Sequence, residues 1–216
     1  MITRAISRSS GSTLRPLILL IVSAAAACAV RTGNEPVSIA PPPPLDVEIS
    51  QQMASHEAMA WSAARPLAWQ DFRGTAPSGG MEGAQTAYGL FYGLRCTRDV
   101  FQFQVTTGFL PRDSWVKPSV LASADESRRT LGHEQTHFDL SEVYARRMRR
   151  YFADLFRPCD QPLDRWRSAA EKFVSEESAA QDRYDDETRH GLIADRQRTW
   201  SADVTEQLKA LEKFGN

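Results

Sequence analysis

Histidine and cysteine are the scarce chemistry-bearing residues of this 216-residue chain, four and three respectively. Three cysteines exclude a small scaffold stapled by many disulfides. A surplus of either charge is missing too. The chain has 26 Lys+Arg against 27 Asp+Glu, and the formal net charge of −1 excludes a basic protein built to coat nucleic acid. Internal repeats are absent. The longest apolar stretch, Leu17 to Val22 with small residues as far as Ala27, is too short for a comfortable membrane span. What remains is ordinary globular composition, 42% hydrophobic and 25% charged, which argues against disorder and fits one domain with a tail.

The short apolar stretch has a meaning of its own. Arg4, Arg8 and Arg15 precede or flank it with no acid among them, so residues 1–27 read as an export signal. Cys28 follows Ala25-Ala26-Ala27, which resembles a lipobox with Ala25 where Leu is usual. The alternative is ordinary cleavage in the alanine run without a lipid. Ala29 in place of Asp favours the outer membrane by lipoprotein sorting. Cleavage before Cys28 removes three arginines and takes the formal charge from −1 to −4. Residues 28–58 then form a lipidated N-terminus and a linker, with Pro41 to Pro44 favouring extended polyproline II. The expected protein is exported, periplasmic or anchored by lipid to the outer membrane of a Gram-negative envelope. An oxidising compartment permits Cys96 and Cys159 to pair, with two free buried thiols as the alternative.

Residues 59–216 carry the fold. Gln85 to Leu94 is rich in Thr, Tyr and Phe, and Phe101, Phe103 and Val105 alternate with polar residues, so a hairpin is predicted around Cys96–Asp99. Ser114-Trp115-Val116 reads as a short extended piece between loops. From Ser123 the period changes to helical. Ser123 to Glu126 has the form of a capping box, and Leu140, Tyr144, Met148, Tyr151 and Leu155 make one apolar stripe. That helix is predicted to reach Phe156, stopped by Pro158. Two more helices are predicted, over Leu163–Tyr184 and Ile193–Leu211. The fold class is α+β: a small N-terminal antiparallel sheet packed against a C-terminal bundle of about three helices, zincin-like.

Inside the long helix stands His133-Glu134-Gln135-Thr136-His137. A separation of four puts both imidazoles on one helix face, where they can share one Zn²⁺, and Glu134 is placed to take a proton from a metal-activated water. The alternative is two helix histidines and a solvated acid. A catalytic zinc site needs a third protein ligand. The expected one is His190, beside the helix-stopping Gly191, with Asp185, Glu176, Glu177 and Glu187 as rivals. Asp139 and Glu142 are candidates for orienting a ligand histidine. Tyr184 is a candidate oxyanion donor, with core packing as its alternative reading. Trp69 and Trp115 read as core aromatics, and His56 as a surface residue.

These blocks resemble a bacterial family of secreted proteins, domain of unknown function 922, described as zinc-dependent proteases. The resemblance runs through Leu67-Ala68-Trp69-Gln70-Asp71-Phe72-Arg73-Gly74, Ala84 to Tyr88, Ser114-Trp115-Val116 and Leu131 to Asp139. It continues through Glu142, Arg146, Tyr184-Asp185, Glu187-Thr188, His190-Gly191 and Gln197 to Trp200. It implies a zinc-dependent peptidase acting on a peptide or protein substrate. A non-catalytic metal-binding lipoprotein and a zinc hydrolase of a non-peptide envelope amide remain the alternatives.

Overall fold

The computed structural model describes residues 42–215 and, as backbone, residues 2–8. Cys28, the apolar run Leu17–Val22 and the tether as far as Pro41 fall outside the described residues. In chain order the elements are β1 (Ile2–Arg8), α1 (Leu45–Ser55), β2 (Met59–Ala60), β3 (Ala84–Gln85) and β4 (Ala87–Thr97). They continue with β5 (Val100–Phe109), β6 (Trp115–Val116), α2 (Pro118–Leu121), α3 (Ala124–Ala153), α4 (Leu163–Thr188) and α5 (Ala194–Ala210). The fold is mixed α+β, small antiparallel sheets followed by a C-terminal helical bundle.

The β4–β5 hairpin is the spine. It runs in register from Tyr88 opposite Phe109 to Thr97 opposite Val100. The two turn residues, Arg98 and Asp99, have φ of 50° and 62°, the left-handed pair that matches the twist of the strands on either side. β1 lies antiparallel on the outer edge of β4 and β2 on that of β5. β3 and β6 form a separate two-stranded ribbon.

Every residue of β4 from Ala87 to Leu94 is buried, because both faces of the hairpin are covered. Leu90, Tyr92, Leu94 and Val105 pack with Leu140, Val143, Met148, Trp166 and Tyr184 of the helices. Ala87 and Phe91 pack instead with Ile49 and Met53 of α1. A Cβ at Gly108 would lie 2.7 Å from the Phe91 ring and 3.1 Å from the Met53 methyl, so glycine is what lets α1 sit this close. The stretch 28–58 is therefore not all linker. Leu45, Ile49 and Met53 recur every fourth residue and are all buried, and their burial binds this helix to the sheet. His56, at the end of α1, is half-buried with its ring 6.1 Å from Phe91, not a plain surface residue.

α3 starts where the sequence predicts. The Ser123 hydroxyl accepts from Glu126 N, and the helix ends at Ala153, three residues short of Phe156. Its motif segment is clamped from outside by residues 61–72. Leu67 N donates to Gln135 Oε1 at 2.6 Å, and Asp139 accepts from both Trp61 Nε1 and Gln135 Nε2 at 2.8 Å. An aromatic series, Trp69, Phe72, Phe109 and Phe138, joins that segment to the sheet and to α3. Among the described residues no helix is long and apolar enough to cross a membrane.

Cys96 and Cys159 are joined, tying the hairpin tip to the turn before α4 across 63 residues. Closing a loop of that length restricts the unfolded chain and stabilises the fold by about 4 kcal/mol. Cys96→Ser is expected to lower the unfolding free energy by that order, measured by urea denaturation under non-reducing conditions.

Candidate metal centre

His133 and His137 stand one helical turn apart on α3 and face α4, both essentially buried. Their Nε2 atoms are 3.1 Å apart, and Asp185 Oδ1 lies 3.0 Å from each. The ring hydrogens are assigned by the other nitrogens. His133 Nδ1–H donates to Gln197 Oε1 at 3.0 Å, and His137 Nδ1–H donates to Gln181 Oε1 at 2.7 Å. That tautomer leaves both Nε2 atoms as acceptors, beside an acceptor carboxylate. Three acceptors this close repel unless a cation or a proton lies among them, and two imidazoles with one carboxylate suit zinc. The same demand appears in the titration of the groups. Burial disfavours a charged His137, but Asp185, helped by Glu134 and Gln181, outweighs it and moves the pKa up. Burial acts to raise Asp185, but His137 and His133 hold it below the ordinary carboxylate range.

His190 also belongs to the cluster. His133, Asp185 and His190 present ligand atoms all within 4.8 Å of one another. Its Nδ1 is 3.4 Å from Asp185 Oδ1, and its side chain is 44% exposed where that of Asp185 is 8%. The loop that carries it is unusual. Arg189, His190 and Gly191 have φ of 48°, 54° and 79°, and the left-handed region costs a non-glycine residue about 1–2 kcal/mol. Thr188 holds this loop in place: its hydroxyl donates to Tyr184 O and accepts from Gly191 N. A Cβ at Gly191 would stand 3.0 Å from His133 Cβ and Cγ, so a side chain there would press on the His133 ring.

Glu134 is 3% exposed, and its Oε2 has no hydrogen-bond partner among the described residues. A buried carboxylate oxygen without a partner is costly and marks a place where another group is received. Tyr184 is placed differently from the expected oxyanion donor. It is fully buried, its ring stacks on His133 at 4.7 Å, and its hydroxyl donates to Gln197 Oε1 at 2.8 Å and to His133 O at 3.2 Å. Burial pushes its pKa far up. It is a wall and a brace for His133, the packing role. Asp139 and Glu142 orient neither histidine. Asp139 holds Trp61 and Gln135, and Glu142 is buried with Arg146, Arg149 and Thr107.

The carboxylate rivals lie elsewhere. Glu187 accepts from Trp200 Nε1 and Glu176 pairs with Lys172. Glu177 is buried and accepts from Gln181 Nε2 at 2.6 Å. The glutamines are what sequence reasoning missed. A signal existed: Glu177, Gln181 and Asp185 form a polar stripe every fourth residue along an otherwise apolar face of α4. Gln197 comes from α5; it stands in the Gln197 to Trp200 block of the family resemblance, which gave it no role at the site.

Burial raises the Glu177 carboxyl to about 7, with Gln181 and Tyr88 acting the other way. An acid whose folded pKa is raised binds more protons folded than unfolded, so its contribution to stability is full below the unfolded value near 4.5 and is lost as pH rises to about 7. In the metal-free protein, the Glu177→Gln difference from wild type is expected to grow by about 3 kcal/mol over that window, in favour of the variant. Urea titrations at pH 4.5 and pH 8 measure it.

Neither the curated proteins nor the solved structures contain a match to this chain. A family profile described as "Bacterial protein of unknown function (DUF922)" matches residues 73–191. That segment holds the hairpin, all of α3 and α4 and the loop to Gly191, more than half of the chain. The protein belongs to that bacterial family, DUF922.

Proposed function

We propose that this protein is a zinc-dependent hydrolase of peptide bonds, with His133, His137 and Asp185 as metal ligands and Glu134 as general base. One observation carries the reading. Three ligand atoms converge within 3.1 Å, and the neighbouring Glu134, whose charge is felt by His137, has a buried carboxylate oxygen with no partner among the described residues. When bound, zinc supplies Lewis acidity and brings the pKa of water near neutrality. The chain's residues do the rest. Gln197 and Gln181 hold the two rings with Nε2 forward. Glu134 takes the proton of the attacking water and returns it to the leaving amine. His190, exposed at the rim, donates to the developing oxyanion. The alternative is a structural metal site with His190 as fourth ligand, favoured by its 3.4 Å approach to Asp185.

The N-terminal pattern supports export and a lipid tether at Cys28, a cleavage that would remove β1 and open that edge of β4 in the mature protein, and the Cys96–Cys159 bond suits an oxidising compartment. The test compares zinc content and the peptides generated from an envelope proteome by wild type and Glu134→Gln. A zinc-free wild-type protein removes the metal reading. Zinc with no cleavage in either protein leaves the structural site.

A further inference from the structure

The buried carboxylate of Glu177 touches none of the metal donors, yet it lies two turns from Asp185 on the same face of α4. We infer that Glu177 is a positioning residue, fixing through the Gln181 amide which ring nitrogen of His137 faces the metal. The inference rests on the metal site proposed above.

A glutamine amide has an acceptor end and a donor end, and turning it over exchanges them. In the observed orientation Gln181 Oε1 receives the His137 Nδ1–H at 2.7 Å, while Gln181 Nε2 donates to Glu177 Oε1 at 2.6 Å and to His137 O at 3.0 Å. Turned over, the amide oxygen would face a carboxylate and a carbonyl, three acceptors together in a site closed to water. The amine end would then face His137 Nδ1 and drive the ring proton to Nε2, where the metal must bind. The carboxylate blocks that rotation. The other ligand histidine lacks so firm a lock. Among the described residues the Gln197 amide nitrogen meets the hydroxyls of Ser201 and Thr136 and its oxygen that of Tyr184, and a hydroxyl turns to donate or accept as needed.

The experiment uses the full metal-free chain at pH 8, above the value near 7 to which burial raises Glu177. Ring ¹⁵N NMR reads the His137 tautomer, and chelator competition with zinc alone reads affinity. Glu177→Leu and Glu177→Ala remove the acceptor, with and without refilling its volume. Wild type is expected to hold the Nδ1–H form. Either acceptor-free variant is expected to show a mixture of tautomers and zinc affinity lower by about 10–100-fold, the range for outer partners of a ligand. An acceptor-free variant with the wild-type tautomer and affinity overturns the inference. Should the wild type bind no zinc, the metal reading fails, and the tautomer comparison still decides the role of Glu177.

Discussion

Glu134→Gln is expected to retain one zinc per chain and to lower hydrolysis by about 10²–10⁴-fold, the range supplied by a positioned general base. Among the described residues the hydrogen bonds that join the ligand atoms run between His133, His137 and Asp185 and leave Glu134 Oε2 without a partner, so zinc affinity is expected to rest on those three. Its replacement has nearly the same shape and sits in the same buried place. The variant removes a buried charge, so its stability is expected to equal or exceed that of wild type. A simple loss of fold therefore does not mimic the loss of catalysis. Elemental analysis checks the metal, thermal unfolding checks the fold, and cleavage products of peptide mixtures check the reaction. Equal cleavage by the two proteins would remove Glu134 as the base.

The second large effect separates Asp185 from His190. Asp185→Ala is expected to lower zinc affinity by more than the roughly 100-fold upper range of an outer partner, because its Oδ1 stands 3.0 Å from both Nε2 atoms. It also leaves His137 without the charge that faces it. His190→Ala is expected to keep zinc within about 10-fold and to lower turnover, since removing one oxyanion donor costs about 10²–10³ in rate. Competition with a chromophoric chelator gives the first quantity and steady-state hydrolysis the second. The opposite pattern, a metal-free His190→Ala and a zinc-loaded Asp185→Ala, would return the third ligand to His190.

The contrast between these two residues also marks how far the sequence could be read. Asp185 and His190 lie on either side of the end of α4, and the choice between them depends on where the helix stops. A helix ending at Tyr184 leaves both in a turn. The helix in fact runs on to Thr188, so Asp185 keeps helical register with Gln181 and faces α3 beside Tyr184. The left-handed run from Arg189 to Gly191 then places His190 at the exposed rim. Helix ends are set by local packing and capping, which periodicity reports poorly. α1 was hidden for a related reason: it follows directly on prolines, and its three buried residues gain their energy only from a sheet formed far along the chain.

The sequence by itself determined the features that repeat with a short period. The spacing of His133 and His137, the apolar stripe of α3, the alternation of β5 and the turn between the hairpin strands are all local, and local geometry fixes them. Tertiary structure decided which side chains meet that local face. Asp185 and Gln181 arrive from α4 and Gln197 from α5, and their distances to the histidines are set by how three helices pack on the sheet. Tyr184 illustrates the division. Its place on a helix face was legible, but the direction of its hydroxyl, inward to His133 O and Gln197, follows only from the packing of α3, α4 and α5 around it.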